Sequence, residues 1–206
     1  MVRTSSLASI SLAFLLSWFF AGVAIADSES PHDVVKTAVE DVLARLQSDK
    51  AEIEKNPDRI YNLVEEIVLP HVDMDAVSRS VLGKYWRNAT DVQRQQFEDE
   101  FKVLLMRTYG TALSAYTGQT VNYLPGSVQP SDRTNLVKLE IDQGGGPPIP
   151  VAFAMHRKDD RWLLYDFKID GVSLVQNYRS NFASIIRRGG MESLLDHLQK
   201  HNAGQA

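Results

Sequence analysis

The chain has 206 residues, 22 Lys and Arg against 26 Asp and Glu, and no cysteine. The missing cysteine excludes disulfides, thiolate metal sites and cysteine nucleophiles. A formal charge of −4 argues against a general nucleic-acid binder and against attraction to an anionic bilayer.

Arg3 is followed by an apolar run over residues 7–20, and the small-x-small pattern Ala24-Ile25-Ala26 precedes Asp27. A basic start, an apolar core and an A-x-A site read as a secretory signal peptide over residues 1–26, cleaved after Ala26. A retained membrane anchor is the alternative, since the stretch is just long enough to span a bilayer. No Cys follows the run, which excludes a lipid-anchored lipoprotein, and no twin-Arg pair is present. Residues 27–206 then form a single domain with room for a substantial core. Once Arg3 is removed, 21 basic side chains face 26 acidic ones.

Over residues 33–47, Val35, Ala38, Val39, Val42 and Leu46 make a helical stripe. Asn56-Pro57-Asp58 starts a second helix, which carries Ile60, Leu63, Val64, Ile67 and Val68 and stops before Pro70. His71-Val72-Asp73-Met74-Asp75 admits two readings. The alternation of His71, Asp73 and Asp75 suits a divalent ion, whereas Asp73 as N-cap of a short helix over 74–82 suits a helix–helix turn. Thr90 and Gln93 make a capping box. The long helix it opens has Phe97, Phe101, Leu104, Leu105, Thr108, Ala112 and Tyr116 on one side, widened by Met106, Tyr109 and Leu113. That stripe is broader than one neighbouring helix requires.

After Gly118 the period changes to two. Val121 with Tyr123, then residues 136–141, 149–155 and 162–169, read as four strands, with turns at 144–148 and 158–161. Strict alternation in the last strand puts Leu163, Tyr165, Phe167 and Ile169 on one face. Gly171 ends that strand. Ser173 caps a helix bearing Val175, Tyr178, Phe182, Ile185 and Ile186; Gly189-Gly190 break it, and residues 191–201 form a last helix. Helices, then an antiparallel sheet, then helices again define an α+β domain: a twisted four-stranded sheet embraced by helices.

Groups with catalytic chemistry are sparse. His156 ends a strand on the face opposite Phe153 and Met155, where it is either a general base beside a carboxylate or an ordinary rim histidine. Gly171-Val172-Ser173 lacks the G-x-S-x-G frame of a nucleophile elbow. Gly144-Gly145-Gly146 lacks the Lys and the following helix of a phosphate loop. Arg187-Arg188 near a helix end suit the helix dipole, with a contact to a partner or a phosphate as the alternative. Phe101, Leu105 and Tyr109 recur every four residues, so they lie along one side of their helix. Val151, Phe153, Tyr165 and Phe167 alternate along two adjacent strands. These two sets are expected to face each other across an apolar pocket, with Phe97, Met155 and Val175 completing its lining.

Several segments carry a resemblance: Leu82-Gly83-Lys84-Tyr85-Trp86, then Thr90, Gln93-Arg94 and Phe97, then Tyr109-Gly110, Ala115-Tyr116 and Gly118-Gln119. Asp166, Gly171-Val172-Ser173-Leu174, Asn177-Tyr178-Arg179-Ser180 and Phe182 complete the pattern. Together they resemble the MlaC, or toluene-tolerance, family of periplasmic proteins over nearly all of residues 27–206. The resemblance implies a nuclear-transport-factor-2-like sheet embraced by helices, with acyl chains between them. It implies a periplasmic carrier of glycerophospholipids between an outer-membrane lipoprotein complex and an inner-membrane ABC transporter bearing an MCE-domain ring, maintaining outer-membrane lipid asymmetry. No catalytic residue, metal, cofactor or nucleic-acid partner is implied; phospholipid is cargo. A secreted enzyme using the same cavity, with His156 or His71 as base, and a lipid-free structural adaptor are the alternative readings.

Overall fold

A computed structural model describes residues 29–114, 116–129 and 131–204. The expected leader lies outside them. Helix α1 (Pro31–Ser48) starts at Ser30, whose hydroxyl accepts from the Asp33 N–H, with Pro31 in the first turn. Short helices α2 (Lys50–Lys55) and α3 (Arg59–Leu63) follow, and α3 runs on through a π-helical turn, Val64–Val68, and a 3₁₀ turn at Pro70. Helix α4 (Met74–Leu82) is capped by Asp73, whose carboxylate accepts from the Ala76 N–H at 3.1 Å. A 3₁₀ turn, Gly83–Asn88, leads to the long helix α5 (Asp91–Ser114). The capping box at its start is formed in both directions: Gln93 N–H donates to the Thr90 hydroxyl, and Thr90 N–H donates to the Gln93 side-chain oxygen.

The sheet is antiparallel throughout, in the order β1 (Thr120–Tyr123), β2 (Thr134–Asp142), β3 (Ile149–Lys158), β4 (Arg161–Ile169), β5 (Val172–Ser173). Four of these are the expected strands; the fifth is a two-residue addition. It exists because Asp170 (φ 50°) and Gly171 (φ 77°) both adopt left-handed backbone, the geometry of a tight hairpin that returns the chain onto β4. Asp159 (φ 49°) and Asp160 (φ 60°) make the same kind of turn between β3 and β4.

Strict alternation fails in β4. Phe153 pairs with Phe167 and Ala154 with Asp166, but Met155 pairs with Leu164, so Tyr165 is an extra residue in a β-bulge. Antiparallel partners share a face. Trp162, Leu164 and Phe167 therefore share one face with Phe153 and Met155, while Leu163, paired with His156, lies on the other. The expectation that Leu163, Tyr165 and Phe167 line up on one side is corrected by this bulge.

Helix α6 (Leu174–Asn202) begins at Ser173, whose hydroxyl accepts from the Gln176 N–H at 3.0 Å. It bends at Gly190, where φ is 77° and ψ −177°, so the expected break and last helix are two arms of one kinked element. Three apolar clusters result. Helices α4, α5 and α6 close around Phe97, Phe101, Leu104, Phe182 and Leu194. Val34 and Val35 of α1 cover Val137, Leu139, Val151, Met155 and Trp162 of the sheet. The rest of α1 packs with α2 and α3 through Val42, Leu46, Ile53, Ile60 and Leu63.

Candidate functional site

Several large apolar side chains are only partly buried. Leu105 and Tyr109 on α5, and Phe167 on β4, are only half-buried against the helical cluster. Phe153, Ile141 and Ile149 are half-buried beside the sheet cluster. Leu43, Ile67, Leu113 and Tyr116 are half-buried against the third. Tyr109 crosses from helix to sheet, its ring edge-on to Phe167 at 5.3 Å. Burial pushes its phenol up to about 12, and the neighbouring Tyr178 adds to the shift. The hydroxyl stays neutral at physiological pH and is hydrogen-bonded with the Tyr178 hydroxyl.

Nine of the ten expected lining residues separate into three groups. Phe97 and Phe101 are 0% exposed and stack on each other at 5.3 Å; with Val175 they form solid core behind Leu105. Val151 and Met155 are buried under α1 rather than opposite α5. Leu105, Tyr109 and Phe167 are partly buried against the helical cluster, and Phe153 is partly buried against the sheet cluster. Tyr165 departs from the expectation: as the bulged residue it sets its ring 5.3 Å from His156. Sequence reading missed α1 as a cover for the sheet. Its stripe was legible, but periodicity reports that a face is buried and not what buries it.

His156 does find a carboxylate. Its Nε2 lies 3.1 Å from Asp73 Oδ2, and Lys158 Nζ donates to the same oxygen at 2.9 Å. Burial pushes the Asp73 carboxyl up, but the bonds from Lys158 and the Ala76 N–H, with His156 nearby, outweigh it and hold the carboxyl below its usual range. The group is a joint between α4 and the sheet: Asp73 N–H donates to Leu164 O at 2.9 Å, and Val72 bridges to Leu164 at the edge of β4. By register His156 is on the face away from Phe153 and Met155, so the pair lies apart from the apolar face those residues define. The N-cap reading of Asp73 is the one realised. Among the described residues no group of three or more His, Asp or Glu is placed to hold a metal ion. Ser173 donates to Asp166 Oδ2 at 2.6 Å while capping α6, a structural use of its hydroxyl.

The fold is an antiparallel sheet against a helical layer, with partly buried apolar side chains on both. The chain belongs to the MlaC family: the family described as MlaC protein matches residues 36–200. It is 30% identical over 164 residues to the toluene tolerance protein ttg2D of Pseudomonas putida, covering 79% of this chain and 76% of that protein. It is 24% identical over 192 residues to the intermembrane phospholipid transport system binding protein MlaC of Haemophilus influenzae, covering 92% and 90% respectively. Among solved structures it resembles the phospholipid-binding protein of Ralstonia solanacearum, determined in complex with a phospholipid. The TM-score is 0.80 at 32% identity, over 86% of this chain and 99% of that one.

Proposed function

We propose that this chain carries a glycerophospholipid with its acyl chains between α5 and the sheet. The observation that carries the reading is the set of half-buried apolar side chains, Leu105, Tyr109, Phe153 and Phe167, in a fold whose Ralstonia relative was solved with phospholipid bound. Each methylene removed from water is worth about 0.8 kcal/mol, so two acyl chains of roughly 30 methylenes cost on the order of 24 kcal/mol if carried naked. A shuttle has to cover most of that surface. Its head group can stay near solvent, which needs no strongly cationic pocket. The carrier reading assigns the chain no catalysis and no cofactor.

Compartment and partners follow from the same reading. Residues 1–26 act as a cleaved leader, and the domain works in the periplasm. Among the described residues no helix is long and apolar enough to cross a membrane. Lipid is exchanged with an inner-membrane ABC transporter bearing an MCE-domain ring and with an outer-membrane lipoprotein complex.

The test is mass spectrometry of protein purified from the periplasm without detergent. One phospholipid-sized adduct per chain, released as glycerophospholipid on extraction, is the expected result. Protein that emerges empty, and stays empty after incubation with phospholipid vesicles, refutes the carrier.

A further inference from the structure

We propose that the surface formed by Lys84, Arg87 and Arg179 is a docking face for an acidic protein partner, separate from the lipid site. The proposal rests on the carrier reading only in supposing that partners exist.

Two segments far apart in sequence meet here. Arg179 on α6 donates from Nε to Ser80 O at 2.6 Å, 99 residues away. A Cβ built on Gly83 would lie 3.7 Å from that same nitrogen. Gly83 has φ 54° and ψ −122°, backbone that other residues avoid. The chain therefore turns sharply under the guanidinium and enters the 3₁₀ turn Gly83–Asn88. In such a turn residues three apart eclipse, so Lys84 and Arg87 project from the same side. All three cations are exposed.

Their charge is unspent. Ion pairs elsewhere occupy Arg45, Arg59, Arg79, Arg94, Lys102 and Lys158, among others. Among the described residues no carboxylate lies within 4.0 Å of Lys84, Arg87 or Arg179. Two of the three are nonetheless held in place. The Ser80 bond uses only Nε of Arg179, leaving both Nη groups for a bidentate partner. Lys84 Nζ sits over the Tyr85 ring at 5.2 Å from its centroid. Beside them Trp86 is flanked by Arg79 and Arg94 at 5.7 and 5.3 Å, which stiffens the segment. Cations whose side-chain freedom is already restricted lose less entropy when a carboxylate arrives.

The rest of the molecule decides what kind of partner fits. The chain is acidic overall, so an anionic bilayer repels it at long range, and three cations fall short of the four to eight that mark lipid-surface binding. A protein presenting carboxylates meets only the local patch, and opposite charge steers the encounter. Arg179 lies five residues into α6 from Leu174, roughly 8 Å along the helix axis. Its neighbour Tyr178 packs on Phe101 at 5.1 Å, so the face adjoins the helical wall of the site without entering it.

The experiment measures association of full-length mature protein with the purified MCE-domain complex and, separately, with the purified outer-membrane lipoprotein complex. The first variant is Lys84→Glu/Arg87→Glu, which removes no hydrogen bond to the backbone; Arg179→Gln is the second. The control is Lys50→Glu/Lys55→Glu/Lys138→Glu, exposed cations elsewhere. Expected is at least a tenfold loss of association with one complex for the double variant, with bound phospholipid unchanged. Wild-type association should fall as salt rises from about 50 to 500 mM, and the variant's should be nearly flat. Unchanged association with both complexes overturns the proposal, as does an equal loss in the control, which would report bulk charge. Loss of bound lipid overturns it too, because the face would then belong to the lipid site. Flotation of wild type, but not the variant, with protein-free phosphatidylglycerol vesicles would instead assign the face to a bilayer and overturn the protein partner. A wild type that carries no lipid but docks through this face would remove the carrier reading and leave this one standing.

Discussion

Asp73 serves three neighbours with one carboxylate: the Ala76 N–H at the start of α4, Lys158 Nζ and His156 Nε2. Asp73→Ala removes the cap and strands the other two, and is expected to cost about 2 kcal/mol in urea unfolding at pH 7. Asp73→Asn keeps a capping oxygen and loses only the charge. Because the folded carboxyl titrates below its usual range, its stabilisation is complete above the unfolded pKa of about 4 and lost as pH falls through the lower folded value. The gap between wild type and the Asn variant should therefore narrow over the acid window below about pH 4. A gap constant across that window would show that the charge contributes nothing. Leu105→Arg tests the site at the same scale. Leu and Arg have similar helix propensities, so α5 should survive. Leu105 is half-buried, so the guanidinium can reach water, while an unpaired charge beside acyl chains is strongly unfavourable. The variant should melt within a few degrees of wild type and lose its lipid. A folded variant with a full lipid load would falsify this placement of the site. Asp73 as a cap was legible from its position before an apolar-periodic run; its pairing with His156 and Lys158, more than 80 residues away, was not, because nothing local encodes it.

Among the elements, legibility followed the strength of the local signal. The capping box, the tight turns and the switch from helical to strand period placed α5 and the three long strands near their observed ends. The β-bulge left no such mark: Trp162 to Phe167 reads as an even run, and only pairing against β3 shows that Tyr165 is extra. The consequence falls on the site, since Tyr165 goes to His156 and leaves Phe167 to meet Tyr109. The bend in α6 is the opposite case, announced by Gly189-Gly190. Gly190 occupies a region of backbone space essentially confined to glycine, and a Cβ on Gly189 would come within 2.6 Å of Ser193 Cβ. The bend lets Leu194, Leu195 and Leu198 turn into the helical core, where none exceeds 2% exposure. Gly190→Ala should therefore destabilise by about 1–3 kcal/mol, read as a lower urea midpoint at unchanged m-value. An unaffected midpoint would mean that the second arm of α6 adds nothing to the core.

At the scale of the whole molecule, the helical core and the sheet packed under α1 each have a fully buried centre, whereas Leu105 and Tyr109 of α5 and Phe167 of β4 are only partly buried. Phe97 and Phe101 have no solvent exposure, and Val137 and Met155 have 1%. Leu105, Tyr109, Phe153 and Phe167 retain access. A bound acyl chain would cover what those four leave open, so lipid should act as a removable part of the core. A ligand present at 100 times its dissociation constant, and bound only by the folded state, stabilises by about 2.7 kcal/mol. For a domain of this size each kcal/mol shifts the melting temperature by about 2–4 °C, which gives a difference of about 5–11 °C between lipid-loaded and delipidated protein. Delipidated protein should also bind more of an apolar dye, and Leu105→Arg should sit close to the delipidated wild type in melting temperature. The measurement is a melting curve on both forms, with lipid content checked by mass spectrometry on the same samples. Equal melting temperatures with lipid demonstrably gone would mean that the layers close over the vacated space by themselves; the accessible apolar surface would then belong to a flexible joint rather than to a lipid site.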